Sequence, residues 1–106
     1  MAEFEHLTDC EEMVMKTVWD AERELGLMDI TQEVNKVCKK NWKPQTVSTF
    51  LARLVRKGYL KHYRQGRMFF YQILIPREKY VAKKAKEFIE FWYHGNAEKF
   101  LEALTK

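Results

Sequence analysis

The hydrophobic period of this sequence changes at Gly58, and that change limits the chain to a small set of folds. Before Gly58 apolar residues recur at helical spacing. After it they follow a period of about two, as in a strand, and helical spacing returns beyond Pro76. Thr8-Asp9-Cys10-Glu11 reads as a capping box, with the Thr8 hydroxyl accepting from the Glu11 backbone N–H and the Glu11 carboxylate reaching back. Cys10, Met13, Val14, Thr17, Val18 and Ala21 then predict a first helix ending near Glu24 and stopped by Gly26. Asp29 is expected to cap a second helix, with Gln32 in the capping-box position and Ile30, Val34, Val37 and Cys38 facing inward. Pro44 suits the first turn of a third helix, where its missing N–H is no loss. Val47, Phe50, Leu51, Leu54 and Val55 form the core stripe of that helix, which runs to Lys57 and closes at Gly58.

Two β-branched and aromatic runs follow, Tyr59–Tyr63 and Met68–Leu74, joined by the basic tip Arg64-Gln65-Gly66-Arg67. Pro76 ends strand pairing. A fourth helix is expected from about Arg77 to Tyr93, ended by Gly95, and Asn96 caps a last short helix carrying Phe100, Leu101 and Leu104. The fold class is therefore mainly α with a small antiparallel β-hairpin. Helix, helix, helix, hairpin is the order of a winged helix-turn-helix domain, here residues 1–76, followed by a C-terminal helical dimerisation arm, residues 77–106.

Charge is segregated along the chain. Residues 1–35 hold ten acids and two bases, residues 36–86 fifteen bases and one acid (Glu78), and residues 87–106 four acids and two bases. A stretch at +14 repels itself unless it meets a polyanion, which makes nucleic acid the first candidate partner. A merely soluble basic face is the plainer alternative. The third helix sharpens the choice, because its outer face shows Gln45, Ser48, Thr49, Ala52, Arg53 and Arg56 without one carboxylate. In helix-turn-helix proteins this helix lies in the major groove, so Gln45, Thr46, Ser48 and Thr49 are candidates to read base edges or hold phosphates. Arg53 is the candidate for a bidentate contact to guanine or phosphate, its alternative being an intramolecular pair with an acid such as Glu33. Lys43 is a candidate phosphate contact. Trp42 either packs under the helix start, with its N–H toward a phosphate, or serves packing alone. Arg64 and Arg67 in the wing tip suit a narrow minor groove or flanking phosphates.

Other chemistries find little footing. Cys10 and Cys38 lie on apolar stripes and read as small core hydrophobes, and His6, His62 and His94 are scattered over separate elements, so no metal site and no cofactor are expected. Met13, Met15, Met28 and Met68 read as packing. No nucleophile–base set or phosphate-cradling glycine loop is present, which argues against an enzyme. No apolar run is long enough for a membrane span, and the first seven residues lack a signal peptide's apolar stretch. A soluble, cytoplasmic protein is expected. In the arm, Val81, Ala85, Phe88, Phe91, Trp92, Phe100, Leu101 and Leu104 present more apolar surface than one slender helix pair covers, which suggests an isologous homodimer. A folded-back monomer is the alternative there. For the whole chain, the competing function is a protein-interaction module that uses the winged helix as a scaffold, without sequence-specific DNA binding.

Several stretches carry a resemblance. Leu7-Thr8-Asp9, Val14-Met15, Val18-Trp19, the unbroken run Thr46–Leu60 (T-V-x-T-x-L-x-R-L-x-x-K-G-x-L), Tyr71 and Phe91-Trp92-Tyr93-His94-Gly95 are similar to the penicillinase-repressor (BlaI/MecI/CopY) family over roughly residues 7–104. The resemblance implies a bacterial homodimeric transcriptional repressor with an N-terminal winged helix and a C-terminal dimerisation arm, here expected to be shortened by one helix. The antibiotic-sensing branch is cleaved at an Asn-Phe bond in the arm, where this chain carries Ala103-Leu104. The copper-sensing branch carries Cys-x-Cys ligands near its C-terminus, and no cysteine follows Cys38 here. The inducing signal is therefore left open.

Overall fold

Local signals set most helix starts. The structure, a computed structural model, describes residues 4–106. Thr8 caps α1 (Asp9–Asp20) with the full capping box: Glu11 N donates to Thr8 Oγ1 at 3.2 Å and Thr8 N donates to Glu11 Oε1 at 3.0 Å. Helix α2 spans Leu27–Cys38, and Lys39 ends it in the left-handed conformation. Helix α3 spans Pro44–Arg56 with Pro44 at its start and Lys57 as C-cap, and Gly58 follows at φ +83°. Strands β1 (Leu60–Gln65) and β2 (Met68–Ile73) pair antiparallel, Leu60 opposite Ile73 and Gln65 opposite Met68. Helices α4 (Arg77–Tyr93) and α5 (Ala97–Leu104) complete the chain, the Asn96 side chain accepting from Lys99 N. Three helices and a hairpin in this order make a winged helix-turn-helix, with α4 and α5 after it. The chain divides into two compact units, one running to Pro76 and the other spanning Arg77–Lys106.

The core of the first unit is one cluster from all its elements: Leu7, Val14, Met15, Val18, Leu25, Ile30, Val34, Val47, Leu51, Leu54, Tyr59, Leu60 and Tyr71 are buried. Trp19 Nε1 donates to the Ile75 carbonyl at 3.0 Å, tying α1 to the chain beyond the wing.

Several expectations are corrected. Helix α1 stops at Asp20, not Glu24, because residues after it are drawn into tertiary pairing. The Leu25 side chain is buried, its carbonyl accepts from Tyr71 N at 3.3 Å, and Gly26 bridges to Phe70 beside β2. A helix continued to Glu24 has no room to turn its backbone toward that strand. For the same reason α2 begins at Leu27 with Gly26 as N-cap, and Asp29 lies inside the first turn, where it pairs with Arg23 at 3.6 Å. Val37 is 58% exposed because the inward face of α2 is completed by Thr31 instead. Cys10, Cys38, Phe50 and Val55 are half-buried at the margin of the core. Of the methionines read as packing, Met15 is buried and Met13 half-buried, while Met28 and Met68 are exposed. The hairpin tip is shorter than Arg64–Arg67: the ladder runs through Gln65 and the turn is Gly66-Arg67. With a positive φ of 66° at Gly66 alone, the turn has the Gly-x pattern that matches strand twist.

Candidate nucleic-acid interface

The outward face of α3 follows directly from its amphipathic spacing. With Val47, Leu51 and Leu54 fully buried, the helix must turn Gln45, Thr46, Thr49, Ala52, Arg53 and Arg56 to solvent, and Ser48 lies half-buried at the border. Gln45, Thr49 and Arg53 repeat every four residues, so they form one row about 12 Å long at 1.5 Å rise per residue. The Thr49 hydroxyl donates to the Gln45 carbonyl at 3.1 Å. Its oxygen lone pairs and methyl group are left for an external partner, making Thr49 an acceptor or an apolar contact rather than a donor. The Arg53 guanidinium lies over the Phe50 ring, 5.8 Å from its centroid, and not on Glu33.

The N-terminus of α3 carries no side-chain cap; Lys43 is its N-cap residue and is exposed. Ahead of it, Trp42 is half-buried with its ring 5.1 Å from that of Phe50, and the Lys40 ammonium stands 6.0 Å from the Trp42 centroid. The connection between α2 and α3 is held by Asn35, whose Nδ2 donates to Trp42 O at 2.8 Å and whose Oδ1 accepts from Trp42 N at 2.9 Å. This clamp sets the angle at which α3 leaves α2. The only sequence signal for Asn35 is a poor helix former inside a helix.

In the wing, Arg64 Nε donates to the Gly66 carbonyl at 2.9 Å, so part of its guanidinium braces the turn while Arg67 stays exposed. Tyr63 donates its hydroxyl to the Glu24 carboxylate, a bond that raises the phenol pKa, and its ring stacks on Phe70 at 5.8 Å. Among the described residues Lys40, Lys43, Arg53, Arg56, Arg64 and Arg67 have no ion pair, whereas Lys16 and Arg23 on the acidic side pair with Asp20 and Asp29. Lys57 and Lys83 of the basic stretch depart from this pattern: Lys83 pairs with Glu87 at 2.9 Å along α4, and Lys57 turns inward and donates to Glu11 at 2.6 Å. Burial alone would raise the Glu11 carboxyl pKa, but bonds from Lys57 and the Thr8 backbone outweigh it and hold the group below its ordinary value.

In the second unit, Val81, Ala85, Phe88, Phe91, Trp92, Leu101 and Leu104 are all exposed and Phe100 is half-buried. Phe91 and Trp92 meet edge to face at 4.9 Å, yet Phe91 is 74% and Trp92 63% exposed. Among the described residues no group of His, Cys, Asp and Glu is placed to hold a metal, and no helix is long and apolar enough to cross a membrane.

Comparison with known proteins bears on this arrangement. The family model described as Penicillinase repressor matches residues 7–106. The penicillinase repressor of Bacillus licheniformis is 32% identical over 95 residues, covering 90% of this chain and 72% of that protein. The methicillin resistance regulatory protein MecI of Staphylococcus aureus strain N315 is 27% identical over 89 residues, covering 84% of this chain and 70% of that protein. Among solved structures, the solution structure of monomeric Bacillus licheniformis BlaI in complex with the blaP half-operator superposes with a TM-score of 0.60 at 32% identity, covering 76% of this chain and 94% of that one.

Proposed function

This chain belongs to the penicillinase repressor family, and on that premise we propose that it is a bacterial transcriptional repressor that binds duplex DNA by sequence. One observation carries the reading: the exposed face of α3 holds no carboxylate, and unneutralised cations flank it at Lys43 and at Arg56. Helix α3 enters the major groove, where Gln45, Thr46, Ser48, Thr49 and Arg53 face base edges or phosphates. Trp42 and Lys43 meet the backbone at the helix start, and Arg64 and Arg67 of the wing meet flanking phosphates or the minor groove.

Two copies act together. The exposed faces of α4 and α5, from Val81 to Leu104, cover one another in an isologous homodimer. A relative solved as a monomer on a half-operator supports a full operator that takes two subunits. Half-sites then lie about one helical turn, or a multiple of it, apart. Repression follows from occupying a promoter, in the cytoplasm, without a catalytic step or a cofactor.

The test is equilibrium binding against a randomised duplex pool at several salt concentrations. With roughly six to eight phosphate contacts per dimer, log K falls against log[salt] with a slope of about −5 to −7, and a preferred pseudo-palindrome emerges. Equal affinity for every duplex would return the fold to the role of a protein-interaction scaffold.

A further inference from the structure

Lys57 lies in the most basic stretch of the chain, directly after Arg56, yet its amine is spent inside the protein. Nζ donates to Glu11 Oε1 at 2.6 Å and to the His6 carbonyl at 2.8 Å, and only 16% of the side chain is exposed. The Glu11 side chain is 2% exposed, and its Oε1 also accepts from Thr8 N at 3.0 Å. One buried carboxylate oxygen thus joins the first turn of α1 to the C-cap of α3. Next to it, the Tyr59 hydroxyl donates to the Glu5 carbonyl at 2.6 Å, and its ring meets Phe4 and Trp19 edge-on at 6.3 and 6.5 Å. The far end of α3 is held separately, through the Asn35 clamp on Trp42.

A buried ion pair is a poor source of stability compared with apolar residues of the same volume. What it supplies is geometry, because the ammonium must reach two acceptors while the carboxylate serves two donors. Arg53 stands one turn before Lys57 on the same helix. A rotation of α3 by about 10° carries a side-chain tip about 6 Å from the axis through about 1 Å, enough to spoil a bidentate base contact. Long side chains on phosphates adjust to such a shift more easily.

We propose that Glu11 and Lys57 are positioning residues for DNA recognition: their pair fixes the rotation of α3 against α1, so that Gln45, Thr49 and Arg53 meet base edges in register. Lys57 itself does not touch phosphate. The proposal rests on the DNA-binding role given above.

The test uses full-length wild type, Lys57→Arg and Glu11→Gln, with the tightest duplex selected by the wild type and a scrambled duplex of the same composition. Lys57→Arg keeps the charge but brings a forked, wider head into the niche. Glu11→Gln keeps an oxygen for both donors and is the milder change, and amide hydrogen exchange in α1 and α3 reports that each variant is folded. The expected result is a loss of selected-over-scrambled preference of about tenfold for Lys57→Arg and about threefold for Glu11→Gln. Scrambled-duplex affinity and the salt slope stay as in the wild type. Arginine serves phosphate as well as lysine does, so full affinity of Lys57→Arg for the selected duplex would overturn the proposal. So would equal weakening on both duplexes, or an unchanged preference in folded Glu11→Gln. A wild-type protein that prefers no duplex would instead overturn the DNA-binding role itself.

Discussion

Replacing Arg53 by Ala tests the interface at an exposed side chain of α3. In the free protein the guanidinium lies over Phe50 at 5.8 Å, an exposed cation–π contact that contributes about 0.5–1 kcal/mol, and its charge helps to hold the Glu11 carboxyl pKa down. Folding stability therefore drops by about that amount, which lowers Tm by a few degrees. In the complex the same side chain supplies about 1–3 kcal/mol if it is bidentate to a base, about 5- to 150-fold in Kd. Fluorescence anisotropy on the selected duplex and its single-base-pair variants, between 50 and 200 mM KCl as roughly the useful range, separates two outcomes. Loss confined to one position of the site identifies a base contact, whereas uniform loss with a salt slope reduced by about one identifies a phosphate clamp. A change in Kd below about twofold on every duplex would refute the placement of this α3 face on DNA.

Three further outcomes follow from the structure. The Glu11 carboxyl is held below its ordinary value of 4.5, so the folded state binds fewer protons than the unfolded state around that pH. The stability it confers is complete above 4.5 and is lost as pH falls through the lower folded value; urea unfolding between about pH 3 and 7 shows this loss, and Glu11→Gln flattens it. Trp92→Ser removes a ring that is 63% exposed. Roughly 150 Å² at 25 cal/mol per Å² sets a ceiling of about 4 kcal/mol per protomer. Sedimentation equilibrium is expected to show at least about a tenfold weaker dimer, and an unchanged dimer would assign the face to another role. Gly66→Ala meets no neighbouring atom within 4 Å but must hold φ at +66°. It is expected to cost about 1 kcal/mol and several degrees of Tm, and an unchanged melting curve would contradict the turn conformation.

Much of the scaffold was legible residue by residue. Thr8 and Glu11 announced the start of α1, Pro44 that of α3, and Asn96 that of α5, since each solves a problem of orphan backbone groups within its own turn. The same holds for the outward row of Gln45, Thr49 and Arg53, which is the necessary complement of a buried Val47, Leu51 and Leu54. What those side chains do in the free protein was not legible. That Thr49 has committed its proton to Gln45, that Arg64 braces its own turn and that Lys57 points inward depend on atoms other sequences would place elsewhere.

The amino-acid sequence alone determined the order of elements, the amphipathic face of α3 and the division of the chain into acidic and basic segments, because propensity, capping and periodicity act over a few residues. Tertiary structure decided where α1 stops, since Leu25 and Gly26 serve β2 rather than the helix. It also decided that Glu11, a capping residue by sequence, closes a buried bond to Lys57 of α3. Such contacts join residues dozens of positions apart, and their energy depends on burial, which no local pattern encodes.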